Sequence, residues 1–84
     1  MKKETAVVRF FIKKRKFSID LEIPLFISAN DLVLALNSAY DLGIDTSDIK
    51  NCYLKSEYPI ALLKGNKTLA EYGIRNGSCI YFNE

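Results

Sequence analysis

Thr68-Leu-Ala-Glu-Tyr-Gly-Ile-Arg-Asn-Gly-Ser-Cys-Ile-Tyr-Phe82 is the stretch whose reading decides the fold. It predicts a short helical turn that places Leu69 and Ile74 inward and a tight turn at Asn76-Gly77. A closing strand follows, with Ile80 and Phe82 on one face. Such a strand needs partners, and the rest of the chain supplies them.

The first partner is a hairpin. Residues Thr5 to Ile12 and Phe17 to Ile23 read as its two arms, and the second alternates strictly, with Phe17, Ile19, Leu21 and Ile23 inward and Ser18, Asp20 and Glu22 outward. A four-residue turn at Lys13 to Lys16 sets Ile12 opposite Phe17, Phe10 opposite Ile19, Val8 opposite Leu21 and Ala6 opposite Ile23. Every inward position is then apolar. The same register puts Arg9 opposite Asp20 on the outer face and leaves Val7 and Phe11 pointing outward. A slip of one residue would lose all of this.

Pro24 ends the second arm, because it supplies no ladder donor. Ser28 then caps a helix expected from Ala29 to Leu42, with Asp31 in capping-box spacing, Ala29, Leu32, Ala35, Leu36 and Ala39 as its apolar stripe, and Gly43 as its left-handed terminator. Ile44 to Lys50 reads as a polar connector anchored by Ile44 and Ile49. Asn51 to Ser56 is a third strand with Cys52 and Leu54 on one face and Tyr53 and Lys55 on the other. Pro59 leaves only a short edge strand from Ile60 to Leu63.

Composition narrows the function classes. The 84 residues suffice for one domain over 1–84 that folds without staples. Twelve basic against ten acidic side chains give a net charge of only +2, too little for charge alone to imply a nucleic-acid partner. No segment approaches the ~20 apolar residues of a membrane span. Arg9 and Lys13 to Lys16 interrupt any signal-peptide core, so the N-terminus reads as a cytoplasmic first strand. Cys52 and Cys79 form no Cys-x-x-Cys pair and histidine is absent, so neither a zinc site nor a histidine-assisted nucleophile is expected. The carboxylates are scattered, and the Asp45-Thr-Ser-Asp48 loop lacks the ligand count of a calcium loop. The chain therefore reads as a non-enzymatic domain with no catalytic, cofactor or metal-binding residues.

The order of strand, strand, helix, strand, short strand, short helix and strand resembles the ubiquitin-like β-grasp fold, an α+β architecture with a mixed sheet of four to five strands and one main helix across one face. Within it the chain most resembles the YukD/EsaB-type ubiquitin-like proteins of Gram-positive type VII secretion systems. The likeness lies in the two opening strands, the proline, the single helix, the segment Leu69-x-x-Tyr72-Gly73-Ile74-x-Asn76-Gly77 and the end soon after Phe82. In that pattern Leu69 and Ile74 plug the core and the hydroxyl of Tyr72 ties down a neighbouring loop. The resemblance implies a cytoplasmic accessory or regulatory factor of secretion whose partners are protein components of that machinery. Conjugation to targets is not expected, because the chain ends at Asn83-Glu84 with no terminal Gly-Gly for an activating enzyme.

The outward positions supply the candidate partner-binding residues: Phe11, Tyr53 and Tyr81 on the open sheet face, with Lys14 and Arg15 at its rim. A monomer or weak homodimer is expected. The alternative is a nucleic-acid-associated regulator that uses the basic run Lys13-Lys14-Arg15-Lys16, although this run lacks the aromatic interleaving of single-strand binders. A solvated hairpin tip would account for the same run.

Overall fold

The computed structural model describes residues 4–82. Its elements are β1 (Thr5–Ile12), β2 (Phe17–Pro24), α1 (Ala29–Tyr40), β3 (Leu54–Glu57), β4 (Ala61–Leu63) and β5 (Cys79–Phe82), with 3-10 turns at Lys13–Arg15 and Thr46–Asn51. The five strands form one sheet in the order β2-β1-β5-β3-β4. Only β1 and β5 run parallel. This is an α+β, ubiquitin-like β-grasp architecture, and β4 lies at a sheet edge as Pro59 predicts.

Alternation in β2 fixed the hairpin register correctly: Ile12 faces Phe17, Phe10 faces Ile19, Val8 faces Leu21 and Ala6 faces Ile23. Arg9 and Asp20 pair on the outer face at 3.0 Å. The burial of β2 differs from expectation. Ile23 is 5% exposed, but Phe17 and Ile19 keep 39% and 37% of their surface in water. These two point to the helix side yet sit on an edge strand, so neighbours cover them from one side only.

The helix differs from its predicted stripe in two places. Ala29, Leu32, Val33 and Leu36 are buried, whereas Ala35 and Ala39 are exposed. Tyr40 completes the inward row, with its ring 5.4 Å from Phe10 and 5.8 Å from Phe17. The helix also stops at Tyr40, short of Leu42. Asp41 takes the left-handed conformation at φ 53°, and its backbone N–H donates to the carbonyl of Asn37. Gly43 is left-handed too, at φ 76°, two residues later.

The N-terminus of α1 has its unpaired donors satisfied. The N–H of Ala29 donates to Lys67 O at 2.9 Å and that of Asn30 to Gly65 O at 3.0 Å. The N–H of Asp31 donates to Ser28 Oγ at 3.1 Å, the expected cap. The 65–67 loop thus serves as a second cap that local sequence does not reveal.

The Thr68–Phe82 stretch places Leu69, Ile74 and Ile80 in the core at 0%, 3% and 1% exposure. Its predicted helical turn is a run of hydrogen-bonded turns rather than a helix. Gly73 N donates to Ala70 O and Ile74 N to Leu69 O, with Gly73 at φ 86°. This is the pattern that ends a helix at a left-handed glycine, and its apolar partners are the buried pair Leu69 and Ile74. Tyr72 closes the same segment: its hydroxyl donates to Lys64 O at 2.6 Å and accepts from Lys64 N at 3.3 Å.

The third strand starts later than expected, at Leu54, but its faces are as read, with Cys52 and Leu54 buried and Tyr53 exposed. Ile44 and Ile49 pack against the core and anchor the connector between them. Cys52 and Cys79 are free thiols. Asn83 and Glu84 lie outside the described residues.

Candidate functional site

Strand register assembles the open face of the sheet. Phe11 of β1 lies beside Tyr81 of β5, Tyr81 lies beside Lys55 of β3, and Lys55 lies beside Leu62 of β4. One row therefore crosses four strands as Phe11, Tyr81, Lys55 and Leu62, all on the side away from α1. Tyr53, two residues before Lys55, shares that side and is 42% exposed. Beside the middle of this row, at Tyr81 and Lys55, a groove of about 490 Å³ opens, lined also by Asp48, Tyr53 and Phe82 among others. A flat aromatic row beside a shallow groove is suited to holding a segment of another chain.

The basic rim differs from the predicted one. Arg15 is turned away from the open face: its guanidinium donates to Tyr40 O at 2.6 Å and to Asp41 O at 2.5 Å. A cation there meets the negative end of α1, whose own last turn carries no basic residue. Lys14 is exposed on the turn. Lys13 reaches the aromatic row instead, with its Nζ 4.3 Å from the centroid of the Tyr81 ring. Alternation carried one step past Ile12 would have placed Lys13 on the side of Phe11. The structure thus brings Phe11, Tyr53 and Tyr81 to one face and adds Lys13, Lys55 and Leu62, which the sequence reading did not single out.

The other end of the face is set by Asn76. Its Oδ1 accepts from Val7 N at 2.8 Å, and Gly77 N donates to Val7 O at 3.0 Å. A side chain thereby extends the pairing of β1 beyond the first residue of β5. Beneath it, Ser78 is fully buried and satisfied. Its hydroxyl donates to Tyr58 O at 2.6 Å and accepts from Arg75 N at 3.0 Å. Ser56, also buried, donates to Pro59 O at 2.7 Å. The Ser78 hydroxyl therefore holds the β3–β4 turn against the start of β5, and the Ser56 hydroxyl closes that turn onto β3.

Among the described residues no group of three or more His, Cys, Asp or Glu side chains could hold a metal ion. Asp45 is occupied in its own turn, accepting from Ser47 N at 3.0 Å and Ser47 Oγ at 2.7 Å. The Ser47 hydroxyl and backbone donors hold its pKa below the usual carboxylate value. Among the described residues no helix is long and apolar enough to cross a membrane.

The model for the WXG100 protein secretion system (Wss) protein YukD matches residues 6–82. The chain belongs to the YukD family. Among curated proteins there is no significant match. The solved structures similar to this YukD-family chain include the C-terminal ubiquitin-like domain of mouse tubulin-specific chaperone e, with a TM-score of 0.74, 13% identity and coverage of 96% of this chain and 87% of that one. The ubiquitin-like domain of tubulin-binding cofactor B also gives a TM-score of 0.74, with 20% identity over 95% of this chain and 89% of that one. The ubiquitin-like domain of the Mycobacterium tuberculosis type VII secretion protein EccD1 gives a TM-score of 0.55, with 18% identity over 93% and 96% of the two chains. These likenesses establish the fold, and the family match links the chain to the WXG100 protein secretion system.

Proposed function

We propose that this YukD-family chain is a non-enzymatic interaction module that acts on the cytoplasmic side of a type VII secretion machine, as an accessory or regulatory factor. It holds a protein component of that machine by non-covalent contact. The observation that carries this reading is the row Phe11, Tyr81, Lys55 and Leu62 across the face that α1 leaves uncovered. Tyr53 and the cation of Lys13 extend the row into a patch with apolar, aromatic and charged parts. Aromatic groups in such a patch supply contact area at low entropic cost, and the lysines orient the partner.

The test is affinity co-purification of the tagged protein from cross-linked, detergent-solubilised cells, with and without nuclease. It is run beside the variant F11S/Y53S/Y81S after circular dichroism has shown that the variant is folded. Recovery of membrane components of the secretion machine by the wild type and their loss from the variant supports the proposal. Equal recovery by both moves the binding site elsewhere on the domain. Partners that vanish with nuclease would instead favour a nucleic-acid-associated role.

A further inference from the structure

We infer that β2 is a dimerisation edge, on which a second copy of this chain pairs antiparallel about Ile19. Leu25 N donates to Glu4 O, so the residues of β2 that exchange hydrogen bonds with β1 are Phe17, Ile19, Leu21 and Ile23. The N–H and C=O groups of Ser18, Asp20 and Glu22 consequently face the free side of β2. Edges of this kind are normally blunted by lysine, proline or a bulge. Between Phe17 and Ile23 there is none: the register to β1 is unbroken and Pro24 stands only at the end. The acidic side chains do not guard the edge either, since Asp20 is held by Arg9 and Glu22 accepts from the Thr5 hydroxyl at 2.6 Å.

The side chains choose the occupant and its register. A second copy paired antiparallel must place even positions opposite even positions for the edge groups to meet. Centring on Asp20 sets that carboxylate against its own copy, a like-charge contact. Centring on Ser18 drives Leu21, Glu22 and Ile23 of the partner strand along the whole Lys13–Arg15 turn, whereas centring on Ile19 brings only its Ile23 and Pro24 to the near end of that turn. Centring on Ile19 sets Ser18 against Asp20 of the second copy, where the backbone groups exchange hydrogen bonds. It also sets Phe17 against Leu21 and Ile19 against Ile19 and, just beyond both ends of the paired strands, brings Lys16, the left-handed residue that closes the Lys13–Arg15 turn, near Glu22. The half-exposed Phe17 and Ile19 are thereby covered, and opposite charges meet twice. The result is a continuous ten-stranded sheet with both helices on one side. This inference does not rest on the open face, which stays free in both copies.

The test is sedimentation equilibrium of the full chain from micromolar to millimolar concentration. A concentration-dependent dimer is expected. S18P removes an edge donor without touching the ladder to β1, and I19K sets two ammonium groups against each other; either abolishes the dimer. K16E and E22K singly each weaken it about tenfold, because both end pairs become like-charged, and the double variant K16E/E22K restores it. These two positions are exposed, so the swap remains informative if I19K fails to fold. F11S and Y81S leave the dimer intact. A monomer at millimolar concentration overturns the inference. A dimer that survives S18P and the single charge reversals, or one lost in F11S, overturns it as well.

Discussion

The guanidinium of Arg15 donates to the carbonyl oxygens of Tyr40 and Asp41, so the tip of the first hairpin is fastened to the C-terminal end of the helix. A residue read from sequence as a partner-binding cation at the rim of the open face is thus tied to the end of the helix. R15A leaves these carbonyls to water and removes a cation from the negative end of α1. It should lower stability by about 1 kcal/mol, seen as a lower urea midpoint at unchanged slope.

S78A should cost more. It deletes a fully buried hydroxyl that serves both Tyr58 O and Arg75 N, and it takes that partner away from both groups. A loss of about 1–3 kcal/mol is expected in the same denaturation experiment. S18A, on the exposed strand β2, should change the midpoint little.

Y72F removes both hydrogen bonds to Lys64 while keeping the ring under Lys67, whose Nζ lies 4.9 Å from its centroid. About 1 kcal/mol of stability should be lost. Amide exchange should accelerate first at Lys64 and Gly65, the residues next to the lost hydroxyl.

Glu71 gives a pH signature. Its carboxylate accepts from Thr68 N at 3.1 Å and Thr68 Oγ1 at 3.0 Å, and these donors hold its pKa below the ordinary glutamate value. A folded pKa below the unfolded one contributes stability above the unfolded pKa, and that contribution is lost as pH falls through the folded value. E71Q should therefore be less stable than the wild type at neutral pH. The two urea midpoints should converge as pH falls below the ordinary glutamate pKa and Glu71 protonates.

Much of the fold was legible because local patterns and long-range packing agreed. Alternation from Phe17 to Ile23 fixed the hairpin register, and the Leu69, Ile74 and Ile80 positions fixed the closing segment. Alternation names a face but not its cover, which is why Phe17 and Ile19 read as core and are half exposed. The helix stripe misassigned Ala35 and Ala39 in place of Val33, because small residues fit either side and only packing decides between them. Asp41 ended the helix where Gly43 was expected, since a second residue tolerant of left-handed geometry stood nearer. In the candidate face, Phe11, Tyr53 and Tyr81 were readable from strand parity. The placements of Arg15 and Lys13 were not, because both depend on where the helix ends and how the 3-10 turn twists.

The sheet order β2-β1-β5-β3-β4 puts the latest strand of the chain in the middle. On a ribosome, the hairpin of β1 with β2 and that of β3 with β4 can each form from nearby residues as they emerge. Neither can join the other until Cys79 to Phe82 is free to slide between them and supply both missing ladders. Until that moment β1 and β3 each carry an unpaired side, so the nascent chain holds two extra open edges that the finished protein does not have.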